Sequence, residues 1–321
     1  MKEVSGQPSV LSFPYRIYGN GIWVLEARIN GSGPLPFIVD TGATRSAIFD
    51  NFLDDFSLGQ SGTRSVNVYG MTGRDKKRTT RISSLQFGNR NFTDHELVVL
   101  KGREHKEEQI LEPVGLIGMD LLSFYRIHAD AAEKRINLIP VDVENVKIPN
   151  SWRVIPLTRN PFSPDDRGLH FMELRIGNSR VTALLDTGSE INVVRWETIS
   201  NPVIKNAHRR LYEAWTIQGA VGDFDPVSFL TVRKFRSGQK HWEQRRFYLM
   251  DLNDLNILGI GDQPFAIAGG NLFSSTSVYI DFERDMMWLK PEGYDLEVMR
   301  RTGADTMIRS EPTLRRSGSW P

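Results

Sequence analysis

Hydrophobic and polar residues alternate in two separate stretches of the chain. Apolar side chains stand at every second position in residues 23–29 and again in residues 172–176. A period of two is typical of a β-strand that buries one face, and the Asn-Gly and Gly-Asn pairs that follow the stretches favour tight hairpin turns. Helical patterns are short and fall at residues 121–126, 195–199 and 294–300. The sequence therefore predicts a mostly β protein.

The two alternating stretches belong to a longer internal repeat. Residues 36–43 read Pro-Phe-Ile-Val-Asp-Thr-Gly-Ala, and residues 182–189 read Thr-Ala-Leu-Leu-Asp-Thr-Gly-Ser. A given tripeptide is expected on the order of 0.05 times in a chain of this length, so two copies of Asp-Thr-Gly indicate a duplication. Farther along, Leu-Ile-Gly at 116–118 corresponds to Ile-Ala-Gly at 267–269, and each glycine precedes an aspartate by twelve residues.

The repeat divides the 321 residues into two halves. We expect an N-terminal lobe at residues 1–148 and a C-terminal lobe at 149–300, because this length suits two units of roughly 150 residues. Several prolines punctuate the connection between them. Residues 301–321 show no periodicity, which predicts a flexible C-terminal tail.

The repeated Asp-Thr-Gly has a physical rationale at the end of a strand. Glycine permits a sharp turn, threonine can bridge to a symmetric partner, and the aspartate projects from a rigid strand end. When two such units face each other, Asp40 and Asp186 come together. Like charges this close cannot both form easily, so the pair shares a proton. Such a pair can deprotonate a water while protonating a carbonyl oxygen, which hydrolyses a peptide bond.

These motifs resemble those of the aspartic proteases. The two-part organisation is similar to that of pepsin, and the local motifs are similar to those of retroviral and bacterial retropepsin-like proteases. The resemblance implies a two-lobed acid-protease fold, in which two homologous β-barrel-like lobes flank an active-site cleft. It also implies that Asp40 and Asp186 are catalytic. The residues that would support the two catalytic loops are Thr41, Gly42, Ala43, Thr187, Gly188 and Ser189.

A further segment resembles the tip of the pepsin flap, where a tyrosine overhangs the substrate. The resemblance assigns this flap and substrate-binding role to Tyr69, Gly70, Met71, Thr72 and Gly73. No tryptophan follows the first motif to hold the tyrosine, and Ala47 and Phe49 stand in that neighbourhood. The counterpart at residues 218–222 has no tyrosine, which agrees with a covering flap in the first lobe alone.

Composition excludes several other kinds of function. The chain has no cysteine, so thiol nucleophiles, disulfides and Cys-based metal sites are absent. It has no His-Glu-x-x-His or Gly-x-Ser-x-Gly motif. Forty basic and 39 acidic residues leave a net charge of +1, which argues against a nucleic-acid partner. No apolar run approaches the roughly 18 residues of a membrane span. We expect no signal peptide in this chain and assign no compartment.

The sequence thus predicts a monomeric aspartic endopeptidase that acts on a peptide or protein substrate without a metal or organic cofactor. The alternative is a catalytically silent module that binds peptides in the same interlobe cleft. A third interpretation treats the two aspartates as ordinary turn residues at strand ends. Turnover of a peptide separates the enzyme from both alternatives.

One difference between the two loops concerns the residue after the glycine. The resemblance implies that a hydroxyl here can donate to the catalytic carboxylate, and Ser189 has one whereas Ala43 does not. A hydrogen bond to the charged form lowers a pKa, so the pair is expected to titrate above the pepsin pair and to work best at roughly pH 4 to 6. On this expectation, Ala43→Ser moves the acidic limb of the pH–rate profile downward.

Overall fold

The computed structural model describes most of the chain up to residue 291, and the chain is mostly β there, as the alternating pattern predicts. The described residues are 2–4, 9–58, 64–70, 73–102, 112–143, 147–159, 168–195, 208–210, 217–224, 228–250, 260–261 and 263–291.

Twelve strands are described in the first half. They are β1 (Lys2–Val4), β2 (Leu11–Pro14), β3 (Arg16–Tyr18), β4 (Ile22–Ile29), β5 (Ser32–Val39), β6 (Ala47–Phe49), β7 (Ser65–Gly70), β8 (Gly73–Phe87), β9 (Arg90–Leu100), β10 (Gly115–Ile117), β11 (Tyr125–Asp130) and β12 (Arg135–Pro140). The described helices of this half are a 3-10 turn, Asp50–Phe52, and the α-helix α1, Met119–Leu122.

Twelve more strands are described in the second half. They are β13 (Arg153–Arg159), β14 (His170–Ile176), β15 (Ser179–Asp186), β16 (Asn192–Val194), β17 (His208–Arg210), β18 (Ile217–Gln218), β19 (Asp223–Phe224), β20 (Ser228–Ser237), β21 (Lys240–Leu249), β22 (Phe265–Gly269), β23 (Val278–Asp281) and β24 (Met286–Leu289). A 3-10 turn, Gly270–Leu272, follows β22.

Six strands of the first half close into a barrel. The order around the ring is β4-β5-β10-β6-β9-β8, and β8 returns to pair with β4. The pairs β5–β10 and β6–β9 are parallel, whereas the other four are antiparallel. Closure leaves no free sheet edge in the ring. The alternating stretch at residues 23–29 falls on β4, so every second side chain can face the interior.

The second half closes into a barrel of the same design. Its ring is β14-β15-β22-β16-β21-β20, and β20 pairs with β14. Again two pairs are parallel, β15–β22 and β16–β21, and they occupy the same places in the ring as in the first barrel. The repeat in the sequence is therefore a repeat of one fold unit, and the prediction of two homologous β-barrel lobes is confirmed.

The two halves also share a sheet. Strands β2, β12 and β11 of the first half continue into β23, β24 and β13 of the second. The central pair, β11–β23, is antiparallel and sets His128 opposite Tyr279. Because both halves build this sheet, Met1–Lys290 forms one compact unit. The lobe boundary at residue 148 stays a prediction, and the predicted tail at 301–321 lies outside the described residues.

The aspartate that follows each repeated glycine closes a turn of this shared sheet. Asp130 Oδ1 accepts the backbone N–H of Ala132 at 3.0 Å and that of Glu133 at 3.2 Å. Asp281 does the same for the two residues at matching positions in its own turn, both at 3.1 Å. The twelve-residue spacing in the sequence therefore reflects a repeated structural role, and it is separate from the chemistry of the Asp-Thr-Gly motifs.

The helix predicted at residues 121–126 is misplaced in the sequence analysis. The pattern at 121–126 corresponds to α1, which begins at Met119 and ends at Leu122. Tyr125 and Arg126 instead belong to β11, since they pair with β12 in the shared sheet. Beyond Arg195, the predicted helix at 195–199 lies outside the described residues, as does the one at 294–300.

Candidate active site

Each Asp-Thr-Gly loop begins where a barrel strand ends. The first follows β5, whose last residues pair in parallel with β10, and the second follows β15, which pairs in parallel with β22. The backbone N–H of Asp40 donates to the carbonyl of Ile117 at 3.0 Å. Asp186 lies opposite Gly269 in the ladder. The two aspartates therefore occupy equivalent, rigid places in the two barrels.

The threonines of the two motifs join the loops to each other. Thr41 Oγ1 donates to the carbonyl of Leu185 at 2.7 Å, and Thr187 Oγ1 donates to the carbonyl of Val39 at 2.6 Å. Each hydroxyl also accepts the backbone N–H of the other threonine, at 3.1 and 3.2 Å. Both side chains are buried. This reciprocal set of four bonds fixes the position of one loop relative to the other.

The glycines bring the two carboxylates together. Gly42 N–H donates to Asp40 Oδ1 at 2.9 Å, and Gly188 N–H donates to Asp186 Oδ1 at 3.0 Å. An ideal Cβ on Gly42 would lie 2.5 Å from Cγ of Asp186, and one on Gly188 would overlap the carboxylate of Asp40. Each carboxylate thus lies against the glycine of the opposite loop. Any larger residue at position 42 or 188 would displace it.

The repeated apolar-apolar-Gly segments pass directly behind the loops. The backbone N–H of Met119 donates to the carbonyl of Ala43, and that of Gly270 donates to the carbonyl of Ser189, both at 2.8 Å. A Cβ on Gly118 would approach the Arg45 carbonyl carbon to 2.6 Å, so only glycine fits this crossing. The second barrel has the same close approach at Gly269.

Two supporting side chains were not singled out in the sequence. Ser46 Oγ accepts the N–H of Gly118 at 3.0 Å, and Asn192 Oδ1 accepts the N–H of Gly269 at 3.0 Å. Ser46 Oγ also donates to Asp120 Oδ1 at 2.7 Å. Both residues follow their motif aspartate by six positions. Equal spacing was the available signal, but the two residues differ in type and so do not stand out as a repeat.

The hydroxyl of Ser189 differs from its expected role. It donates to the carbonyl of Ile191 at 3.0 Å. A hydroxyl has one proton, so this bond takes the donor that was expected to face Asp186. Ala43 and Ser189 therefore differ less in their effect on the neighbouring carboxylates than the sequence suggests.

The segment that resembles a flap forms the hairpin of β7 and β8. Gly70 pairs with Gly73 at its end, and Met71 and Thr72 lie outside the described residues. Val66 and Val68 pack against a cluster of the first barrel that also contacts Ala43. Tyr69, which is 37% exposed, lies on the opposite face of β7 because side chains alternate along a strand.

The second half has a hairpin of its own, where the sequence places the counterpart of the flap. Strands β18 and β19 pair at residues 217–224. An ideal Cβ on Gly70 would lie 3.1 Å from Cγ2 of Val221, so the ends of the two hairpins meet. Lys101 Nζ also reaches Asp223 Oδ2 at 3.3 Å. The duplication therefore extends to the hairpins, with shorter described strands in the second half.

No group of three or more His, Asp or Glu side chains suited to a metal ion occurs within the described ranges. No helix in those ranges is long and apolar enough to cross a membrane.

Two closed barrels that bring two Asp-Thr-Gly loops together define the acid-protease class of fold. Residues 25–121 match the sequence model of a family described as aspartyl protease. This match supports an assignment to the aspartic proteases through the segment that contains Asp40 and Gly118. The second motif lies outside the matched residues, and its equivalence rests on the repeated fold. A search of curated proteins found no match to the chain.

Proposed function

We propose that this protein is an aspartic endopeptidase in which Asp40 and Asp186 form the catalytic dyad. The family assignment supports a general aspartic protease function. The observation that carries the specific proposal is the reciprocal arrangement of the loops, in which each carboxylate lies against the glycine of the other loop. Such proximity favours one shared proton between the two groups.

The proposed reaction needs only the two carboxylates and a water. The ionised aspartate accepts a proton from the water, and the resulting hydroxide oxygen bonds to the carbonyl carbon of the substrate. The protonated aspartate gives its proton to the carbonyl oxygen, which yields a neutral tetrahedral diol. The first aspartate then passes the proton it took from the water to the amide nitrogen, while the second accepts a proton from one hydroxyl of the diol. The C–N bond breaks, and an amine and a carboxylic acid are released. The shared proton returns to the dyad.

The other loop residues are proposed to hold this geometry. Thr41 and Thr187 lock the loops together, while the N–H groups of Gly42 and Gly188 hold the carboxylates in one orientation. Positioning to within a fraction of an ångström is a large part of catalysis by such pairs. Ala43 and Ser189 are proposed to act through the carbonyls that receive Met119 and Gly270.

The substrate is proposed to be a peptide or protein segment, held under the hairpins of the two halves. The hairpin end at residues 69–73 is the proposed cover from the first half, with Val221 as its neighbour in the second. Since one chain supplies both aspartates, the active unit is proposed to be a monomer, with an organisation like pepsin and local motifs like the retropepsins.

A cleavage assay tests the proposal. Unfolded protein is incubated with the enzyme across pH 3 to 7, with and without pepstatin, and cleavage is followed by mass spectrometry. Asp40→Asn is expected to lower turnover by about 10²- to 10⁴-fold, the usual contribution of a general acid or base. Asp94→Asn is the matched control, because Asp94 is an exposed strand residue paired with Arg81. Peptide binding without turnover in the parent would instead favour the silent binding module.

A further inference from the structure

Three arginines and a histidine stand in one line across the second barrel. In the ladders, Arg180 of β15 lies opposite Arg175 of β14, Arg175 lies opposite Arg236 of β20, and Arg236 lies opposite His241 of β21. Directly opposed residues of neighbouring strands point to the same face of a sheet. With strands about 4.8 Å apart, the line is about 14 Å long.

This line forms the floor of an open groove of about 470 Å³. Lys234 adds another cation at its side, and the turn of residues 177–179 forms one end. The volume falls in the range of small-molecule sites. The groove is remote from the dyad, because six residues of strand separate Arg180 from Asp186, which corresponds to about 20 Å.

The positive charge of the groove is only partly balanced. Glu173 lies 2.7 Å from Nε of Arg175 and 3.9 Å from Arg180, and Glu243 lies 3.6 Å from Lys234. Among the residues that the structure describes, no carboxylate lies within 4 Å of Arg236. Like charges directly opposed on a sheet are destabilising, so the central arginine costs stability unless an anion joins it.

The first barrel shows that the fold does not require this line. Arg28 occupies the place of Arg175, since each precedes the last residue of its strand and faces the returning barrel strand. Its neighbours across the sheet are Gln86 and, one strand farther, Asn91, both uncharged. The same lateral row therefore has one arginine in the first barrel where the second has two arginines and a histidine at corresponding places.

We propose that the groove binds a small ligand that carries several phosphate groups in a row. A guanidinium group binds two phosphate oxygens at once, with defined geometry. A line of arginines therefore matches a linear oligophosphate better than it matches a single anion. Nucleic acid fits less well, because Phe235, the phenyl group in the lining, is 3% exposed and offers no stacking surface for a base. The proposal is independent of the proteolytic function.

Binding of inorganic tripolyphosphate to the full chain, measured by isothermal titration calorimetry, tests the proposal. Tripolyphosphate is expected to bind at least about tenfold more tightly than orthophosphate, since its additional phosphate groups accept additional charge-assisted hydrogen bonds. Affinity is expected to decrease with added salt. Arg236→Gln, which copies the first barrel, is expected to weaken binding about tenfold. Arg28→Gln is the matched control and is expected to bind as the parent does.

A structural role for Arg236 is checked by thermal unfolding without ligand. Arg236→Gln removes a positive charge that lies opposite Arg175, so it is expected to leave the Tm unchanged or to raise it at low salt. A clear fall in the Tm would overturn the proposal. Equal affinity of Arg236→Gln and the parent, or an equal loss in Arg28→Gln, would also overturn it. Tighter binding of single-stranded DNA or of a poly-glutamate peptide than of tripolyphosphate would assign the groove to a different ligand class.

Discussion

The two halves of the molecule are nearly identical at the Asp-Thr-Gly loops and differ at the hairpins. In the loops, corresponding threonine hydrogen bonds agree to within 0.1 Å, 2.7 against 2.6 Å and 3.2 against 3.1 Å. The hairpin of the first half comprises the long strands β7 and β8, whereas that of the second has two-residue strands. A shared proton needs two equivalent carboxylates, while a bound peptide has no such symmetry. Divergence is therefore expected where the substrate is contacted.

The threonine bonds provide the strongest test of equivalence between the loops. Thr41→Val leaves the Leu185 carbonyl and the Thr187 N–H without their partner, and each orphaned buried group costs about 1–3 kcal/mol. Thr187→Val is expected to cost the same, because its two bonds mirror those of Thr41. Denaturant unfolding measures both, with Thr231→Val on the exposed face of β20 as the control. A loss confined to one of the two variants would show that the loops are not equivalent.

The hairpins are expected to show the opposite behaviour. Since Val68 faces the barrel cluster near Ala43 and Tyr69 lies on the other face, we expect Val68→Ala to raise KM for a peptide more than Tyr69→Ala does, by several-fold. Steady-state kinetics on one peptide measures both. A larger effect of Tyr69→Ala would mean that the hairpin presents its other face to substrate, as the resemblance to the pepsin flap implies.

At the centre of the shared sheet the two halves contribute different side chains, and one of them, His128, is titratable. His128 lies opposite Tyr279, and burial lowers the pKa of His128, although the carboxylate of Asp130 partly offsets the effect. The unfolded chain therefore takes up a proton near pH 6.5, before the folded protein does, and stability decreases as the pH falls below that value. His128→Gln is expected to reduce this slope in unfolding experiments between pH 7 and 5. An unchanged slope would contradict the assignment.

The smallest effect is expected at the residue after each glycine. Because the Ser189 hydroxyl donates to Ile191, Ser189→Ala is expected to leave the pH–rate profile in place, and Ala43→Ser is no longer expected to shift it. The profile of kcat/KM against pH measures this. A downward shift of the acidic limb in Ala43→Ser would restore the original expectation.

Much of the fold could be predicted because the repeated segments have a clear pattern of apolar residues and glycines. The alternation in β4 and β14, and the glycines at positions 118 and 269, have steric causes that act locally. The resemblance carried by these repeated segments implied the two-lobed fold, and the second copy of Asp-Thr-Gly suggested the pairing of the two loops. The short helices were placed less well, since β11 competes for residues that have a helical pattern.

Contacts between distant segments could not be predicted in the same way. Ser46 and Asn192 accept the N–H groups of the two repeated glycines with different side chains. Because the residue types differ, a comparison of the two halves of the sequence does not identify them. The meeting of Gly70 with Val221 depends on the relative placement of two hairpins. The row of Arg180, Arg175 and Arg236 depends on strand register. Register is set by the hydrophobic pattern and the turn geometry together, and neither is sufficient alone.

The central claim is that one chain supplies both members of the dyad, and complementation tests it most directly. Asp40→Asn and Asp186→Asn are assayed separately and then as an equimolar mixture, after unfolding and refolding together. Each chain builds both loops and joins them through Thr41 and Thr187, so all three samples are predicted to be inactive. If two chains instead shared each site in a symmetric dimer, random pairing would restore about a quarter of the parent activity in the mixture. Such recovery would contradict the claim.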